Sequence, residues 1–264
     1  MASQSHDVLR LGYEGHGHKA HVILAYNQNA NVMTDGGNYY SGGAQPYKTM
    51  QDVWYHYDLP RIPLGASLLF MNIGMQSELE KDPDRTWYQQ LLGSYLLFHP
   101  KRWTVEAAYY HQFGKSETNM KIDAWMVSTK ATFSPAGNYG FIAGYDYLSG
   151  DEYFAVPRHG GLGMVQHKVL KGFNTVYGAM DFFYVSTYYN GFTPGLQNAF
   201  VGGFYAPMKN LKIDASYHYL ATATKLQEMD MFLGHEVELQ ASCSISRDVK
   251  VSAGFAIMKG GETM

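Results

Sequence analysis

Hydrophobic residues recur at every second position through most of this chain, and that period governs what it can fold into. The clearest stretch is 236–245, EVELQASCSI. There Val237, Leu239, Ala241, Cys243 and Ile245 alternate with Glu236, Glu238, Gln240, Ser242 and Ser244. The next segment repeats the pattern, with Val249, Val251, Ala253, Phe255 and Ile257 on one face. Ile213, Ala215, Tyr217 and Tyr219, and again Trp103, Val105, Ala107 and Tyr109, do the same. Side chains of a strand point alternately to opposite faces, so each segment forms a strand with one apolar and one polar side.

Read in this way, the chain carries twelve strands, at 8–15, 18–27, 47–57, 64–74, 86–98, 103–113, 121–133, 139–148, 196–206, 211–220, 234–245 and 249–258. Short turns (15–17, 58–63, 100–102, 134–138, 207–210, 247–248) alternate with long polar connections (28–46, 75–85, 114–120, 149–195, 221–233). That alternation, with strands of about 8–13 residues against the roughly 9–11 that cross a bilayer, is the pattern of an antiparallel up-and-down transmembrane β-barrel. Two soluble folds share the period. A β-sandwich has strands of about 5–6 residues, shorter than these. A lipocalin-type barrel has eight strands with apolar residues inside, and twelve long strands would enclose more space than side chains fill.

Composition agrees. Charged residues make up 16% of the 264, against about 25% on average, yet mean hydropathy is only -0.27. Abundant aromatics exclude disorder, and Cys243, the single cysteine, excludes a disulfide scaffold. A net charge of -3 leaves no footprint for nucleic acid. The run 62–75 is interrupted by Ser67 and Asn72 and falls short of a helical membrane span. MASQSHDVLR has neither a basic nor an apolar signal region. This fits a cytosolic chain, or a secreted one whose signal is not included.

Ten aromatics, Trp87, Tyr88, Tyr95, Trp103, Tyr109, Tyr139, Tyr145, Tyr147, Tyr217 and Tyr219, fit girdles at the membrane–water interfaces. High strand propensity of Tyr acts in the same direction. With long loops at the cell surface and short turns in the periplasm, strands 8–15 and 249–258 leave both chain ends outside. The chain is therefore expected to be a stretch of a longer porin, incomplete at both ends. The same parity assigns 149–195 to one long loop folded over or into the lumen, with NTVYGAMDFFYV (174–185) a short helix or irregular piece of it.

Several stretches resemble the alginate-export-domain outer-membrane proteins of the Bacteroidetes type. They are YEGHGHKAHVILAYNQNA (13–30), YKTMQDVWYH (47–56), LLFMNIGMQ (68–76), GYDYLSGDE (144–152), QHKVLKGFNTVYGAMDFFYV (166–185), GLQNAFVGGFY (195–205) and LGHEVELQASCSISRDVKVSAGFAIMKGGETM (233–264). The resemblance implies a porin-like barrel in the bacterial outer membrane and passage of polysaccharide. Members continue beyond the GGETM-like segment into a last strand with a terminal aromatic, which this sequence lacks.

Alternation assigns the lumen wall. Its positive members are Arg10, Lys19, Lys130, Lys212 and Lys250, and its negative members are Glu14, Glu106, Asp146, Asp214, Glu236 and Glu238. A conduit for a polyuronate is expected to be lined by Arg and Lys, so this mixed wall does not support strong selection of polyanions. Plain solvation of a wet lumen accounts for each residue singly. Arg158, His167, Lys168 and Asp181 are constriction candidates in the long loop, and Asp146 is a candidate anchor for it through a lysine.

Catalysis needs a nucleophile, a base and an orienting group within hydrogen-bond reach. His16, His18 and His21 cluster at a turn, but no carboxylate or cysteine set accompanies them and no nucleophile elbow, zinc helix or phosphate loop occurs. The expectation is a non-enzymatic porin-like channel for polar solutes or an oligo- or polysaccharide, embedded in outer-membrane lipid, with no cofactor or metal. The alternatives are a surface-exposed adhesin or ligand-binding barrel with a closed lumen, and an outer-membrane hydrolase.

Overall fold

The computed structural model describes residues 8–26, 47–82, 85–158, 161–166, 169–173, 193–225 and 230–261. Its strands, in chain order, are β1 (Leu9–Gly15), β2 (His18–Tyr26), β3 (Thr49–Asp58), β4 (Leu64–Gln76), β5 (Thr86–Phe98), β6 (Trp103–Lys115), β7 (Lys121–Phe133), β8 (Tyr139–Leu148), β9 (Tyr153–Arg158), β10 (Gly161–Gln166), β11 (Val169–Leu170), β12 (Leu196–Met208), β13 (Leu211–Ala221), β14 (Phe232–Ser244) and β15 (Lys250–Gly260). Twelve of them form one antiparallel up-and-down sheet in the order β1 to β8, then β12 to β15. These are the twelve strands that the alternation marks out.

The segment between β8 and β12 adds no strand between them, since Asp146 pairs directly with Asn198. It carries instead the separate hairpin β9–β10 and the two-residue β11, which lies parallel to β7. NTVYGAMDFFYV falls outside the described residues. The main sheet is not closed: β1 and β15 each have one neighbour among the described residues.

Register turns the period of two into two continuous surfaces. One row across the sheet runs Leu11, Val22, Val53, Phe70 and Leu92. All five are exposed, as are Phe141, Val201, Leu239 and Phe255 on later strands. Soluble monomers rarely expose a contiguous apolar patch larger than a few hundred Å²; here exposed apolar residues recur on each of the twelve strands, giving way toward the long connections to polar groups such as His111 and Asp123. A row of the other face runs Lys19, His56, Ser67, Tyr95, Ala108, Ser128, Asp146 and Asn198. The longest strands have 13 residues, roughly 40 Å at about 3.3 Å per residue, enough to cross a bilayer at a tilt.

Short turns gather at one end of the sheet and long connections at the other. His16 and Gly17 form a two-residue turn with φ of 52° and 81°, the left-handed pair that matches strand twist. On the polar face Tyr110 lies over Gly93 and Phe200 over Gly144, where any Cβ would collide with the ring. Glycine there lets an aromatic ring lie flat across the neighbouring strand.

The buried apolar core sits on the polar face near the long connections. Ile122, Ala124, Leu148, Phe173, Leu196, Leu220 and Leu233 form one cluster, and Ala25, Tyr47, Met50 and Ile73 a second. Two girdle assignments are corrected here. Trp87 and Tyr95 belong to the polar face: Trp87 is buried beneath Arg85 and Lys115, and Tyr95 bonds Glu106. Tyr88, Trp103, Tyr109, Tyr139, Tyr145, Tyr217 and Tyr219 are exposed on the apolar face.

Candidate functional site: the polar face of the sheet

All eleven residues assigned to the lumen wall lie on one face. Glu14 pairs with Lys19, Glu106 with Lys130, Asp214 with Gln240, Lys212 with Ser242, and Glu238 with Ser216. Arg10, Asp146, Glu236 and Lys250 fall on the same side through Ile23, Ser128, His218 and Ser244. The strict alternation of a strand puts them there, opposite the apolar surface.

Two ion pairs and several hydrogen bonds hold these groups in place. Lys130 Nζ lies 2.8 Å from Glu106 Oε1, and the Tyr95 hydroxyl donates to Glu106 Oε2 at 3.0 Å. Lys212 Nζ donates to Asp214 Oδ1 at 2.5 Å. Ser128 Oγ donates to Asp146 at 2.6 Å, and Ser216 Oγ to Glu238 at 3.3 Å. His218 bridges Asn198 Oδ1 and Ser216 Oγ, each at 3.0 Å, with Phe200 stacked 5.4 Å away. Between β7 and β14 these groups border a hollow of about 240 Å³ that Lys130, Phe200, Gly202, Asp214, His218 and Glu238 help to line.

A second group occupies β1 to β3. Arg10 Nε and Nη2 lie 3.2 Å from the two ring nitrogens of His21. His21 stacks on Trp54 (5.2 Å, 13°), and Trp54 on His56 (5.8 Å, 6°). His56 is fixed at both nitrogens, by Ser67 Oγ at 2.8 Å and Asp58 Oδ1 at 2.9 Å. Period-two reading places these rings on the polar face, but nothing in it singles out their stacking. That needs the register His21 to Trp54 across 33 residues. The triplet His16, His18 and His21 does not converge: His16 is in the turn, and His18 faces the apolar side and bonds Tyr55. Among the described residues no cluster could hold a metal ion.

The long connection after β8 is tied down by a residue the sequence does not single out. Asp151 is buried and accepts the backbone N–H of Lys171 (2.5 Å) and of Gly172 (2.7 Å), and the Thr193 hydroxyl. Phe173, next along, donates its N–H to Ser149 O at 2.9 Å and packs into the cluster with Ile122, Leu148 and Leu196. Phe173 thus packs against the polar face near its long-connection end, while Val169 and Leu170 extend the sheet beside β7. Asp146 accepts a hydrogen bond from Ser128 on the neighbouring strand. Of the constriction candidates, Arg158 ends β9, whereas His167, Lys168 and Asp181 lie outside the described residues.

Solved structures share this architecture. The chain is similar to Pseudomonas aeruginosa OccK9 (OpdG), with a TM-score of 0.56 and 12% identity over 97% of this chain and 65% of that one. It is similar to OccK5 (OpdH) of the same organism, with a TM-score of 0.55 and 11% identity over 93% and 63%. OccK3 (OpdO) gives 0.54 and 13% over 97% and 65%. At such identities the likeness shows the fold alone, an antiparallel up-and-down β-barrel wall. The chain spans less than two thirds of their length. No protein-family model matches the sequence, and no curated protein matches it.

Proposed function

We propose that this chain builds the wall of a porin-like channel in the bacterial outer membrane, passing polar solutes by weak multi-site contacts without covalent chemistry. One observation carries the reading. A single sheet joins a continuous exposed apolar face to an opposite face of paired charges and hydrogen bonds, the division required when one side meets lipid and the other water. The eleven assigned residues, five basic and six acidic, with the buried Asp52 beside them on the polar face, argue for weak charge selection.

Export of an oligo- or polysaccharide is the finer proposal. Kinship with alginate-export proteins rests on the sequence resemblance alone, and the balanced wall favours neutral or mixed-charge sugars over a polyuronate. Phe173 and its apolar cluster against the polar face support a second reading, a barrel whose lumen the connection closes. No catalytic step and no cofactor is invoked in either.

Liposome swelling with neutral sugars of increasing size, using the full-length protein, separates the two. Swelling that falls off with solute size supports a channel, and tight liposomes holding folded protein refute it.

A further inference from the structure

The short turns carry a charge pattern of their own. Arg61, Lys101, Arg102, Lys209 and Arg247 lie in them against two acids, Asp58 and Asp248. All five cations are exposed, and none has an ion-pair partner among the described residues. Backbone bonds link neighbouring turns into a rim: Ser134 N–H to Arg102 O (2.8 Å), Ala206 N–H to Asn138 O (2.6 Å) and Ser244 N–H to Asn210 O (2.8 Å).

On the apolar face β8, β12 and β13 form a shallow groove of about 610 Å³. Gly203 and Ala215 make its floor, and Phe141, Val201, Tyr205 and Tyr217 stand as its walls. Small residues on the floor and large exposed ones beside it give a mostly apolar furrow along the strands, and the chain runs from its Tyr205 end into the 209–210 turn that carries the exposed Lys209.

We propose that this groove is a site for an anionic phospholipid, with one acyl chain along Gly203 and Ala215 and the phosphate at Lys209. The proposal rests on the membrane-wall reading above. Charge complementarity selects the occupant. A second copy docked by the same groove would bring like-charged rims together, whereas a phosphate neutralises Lys209. Near a bilayer surface, one basic residue favours an anionic headgroup by about fivefold.

The test reconstitutes the full-length protein in nanodiscs of equal phosphatidylglycerol and phosphatidylcholine, extracts it in mild detergent and weighs the retained lipid by native mass spectrometry. Wild type is expected to retain phosphatidylglycerol in about fivefold preference. Lys209→Glu removes the preference, and Ala215→Phe, which fills the furrow, lowers total retained lipid. Lys101→Glu, on the rim away from the groove, keeps the preference. Equal retention of both lipids by wild type, or a dimer without lipid, overturns the proposal. Protein that fails to insert at all overturns the membrane-wall reading instead, and a heat-modifiable gel shift reports which has failed.

Discussion

Truncating Asp151 to alanine tests whether residues 169–173 close part of the polar face. The carboxylate is 3% exposed and accepts two backbone N–H groups, from Lys171 and Gly172, as well as the Thr193 hydroxyl. Asp151→Ala leaves those donors buried without their acceptor when the connection is docked, while water satisfies them when it swings away. A buried donor left unpaired costs about 1–3 kcal/mol, so the two N–H groups together disfavour the docked state by roughly 3 kcal/mol. At about 1.4 kcal/mol per decade, the ratio of undocked to docked rises about 100-fold. Asp151→Asn keeps an oxygen for both N–H groups and loses mainly the charge, so its shift is smaller, about tenfold. In single-channel recordings of the full-length protein, the alanine variant is expected to show larger or longer-lived open levels, with asparagine between it and wild type. Identical conductance and dwell times in all three, with folding intact, would refute the closure of the face by this segment.

Three further outcomes follow from the two faces. Phe70→Arg, on the apolar face, is expected to destabilise by roughly 2–4 kcal/mol if it lies near the bilayer midplane, whereas Gln240→Arg at an exposed position of the polar face is tolerated; urea unfolding from vesicles compares them. Gly144→Leu places a Cβ 2.6 Å from Thr129 O and against the Phe200 ring, so it should fold in poor yield, read as loss of the heat-modifiable band. The near balance of charge on the polar face predicts a reversal potential close to zero in a salt gradient. A strongly anion- or cation-selective value would contradict the assigned wall.

Alternation made the twelve strands and their faces legible, because which face a side chain takes depends only on its position along its own strand. The residues 236–245 announce Glu236 and Glu238 as polar-side neighbours with no knowledge of the rest of the chain. Parity of turns and loops likewise kept 149–195 from contributing a strand between β8 and β12, as the pairing of Asp146 with Asn198 bears out. The girdle reading failed at Trp87 and Tyr95 because nearness to a strand end was weighed above the face that alternation assigns.

What the sequence determined by itself, then, is a sheet with one apolar and one polar side. Tertiary structure decided which polar groups meet. His21 reaches Trp54, and Lys130 reaches Glu106, only through registers fixed by neighbouring strands. Asp151 becomes an anchor only because the chain returns after 20 residues to present two N–H groups to it. The groove next to the turn of Lys209 exists only where β8, β12 and β13 come together. The physical reason is range: alternation is local to a strand, whereas hydrogen bonds, stacking and cavities depend on partners that are distant in sequence and adjacent only after the sheet has formed.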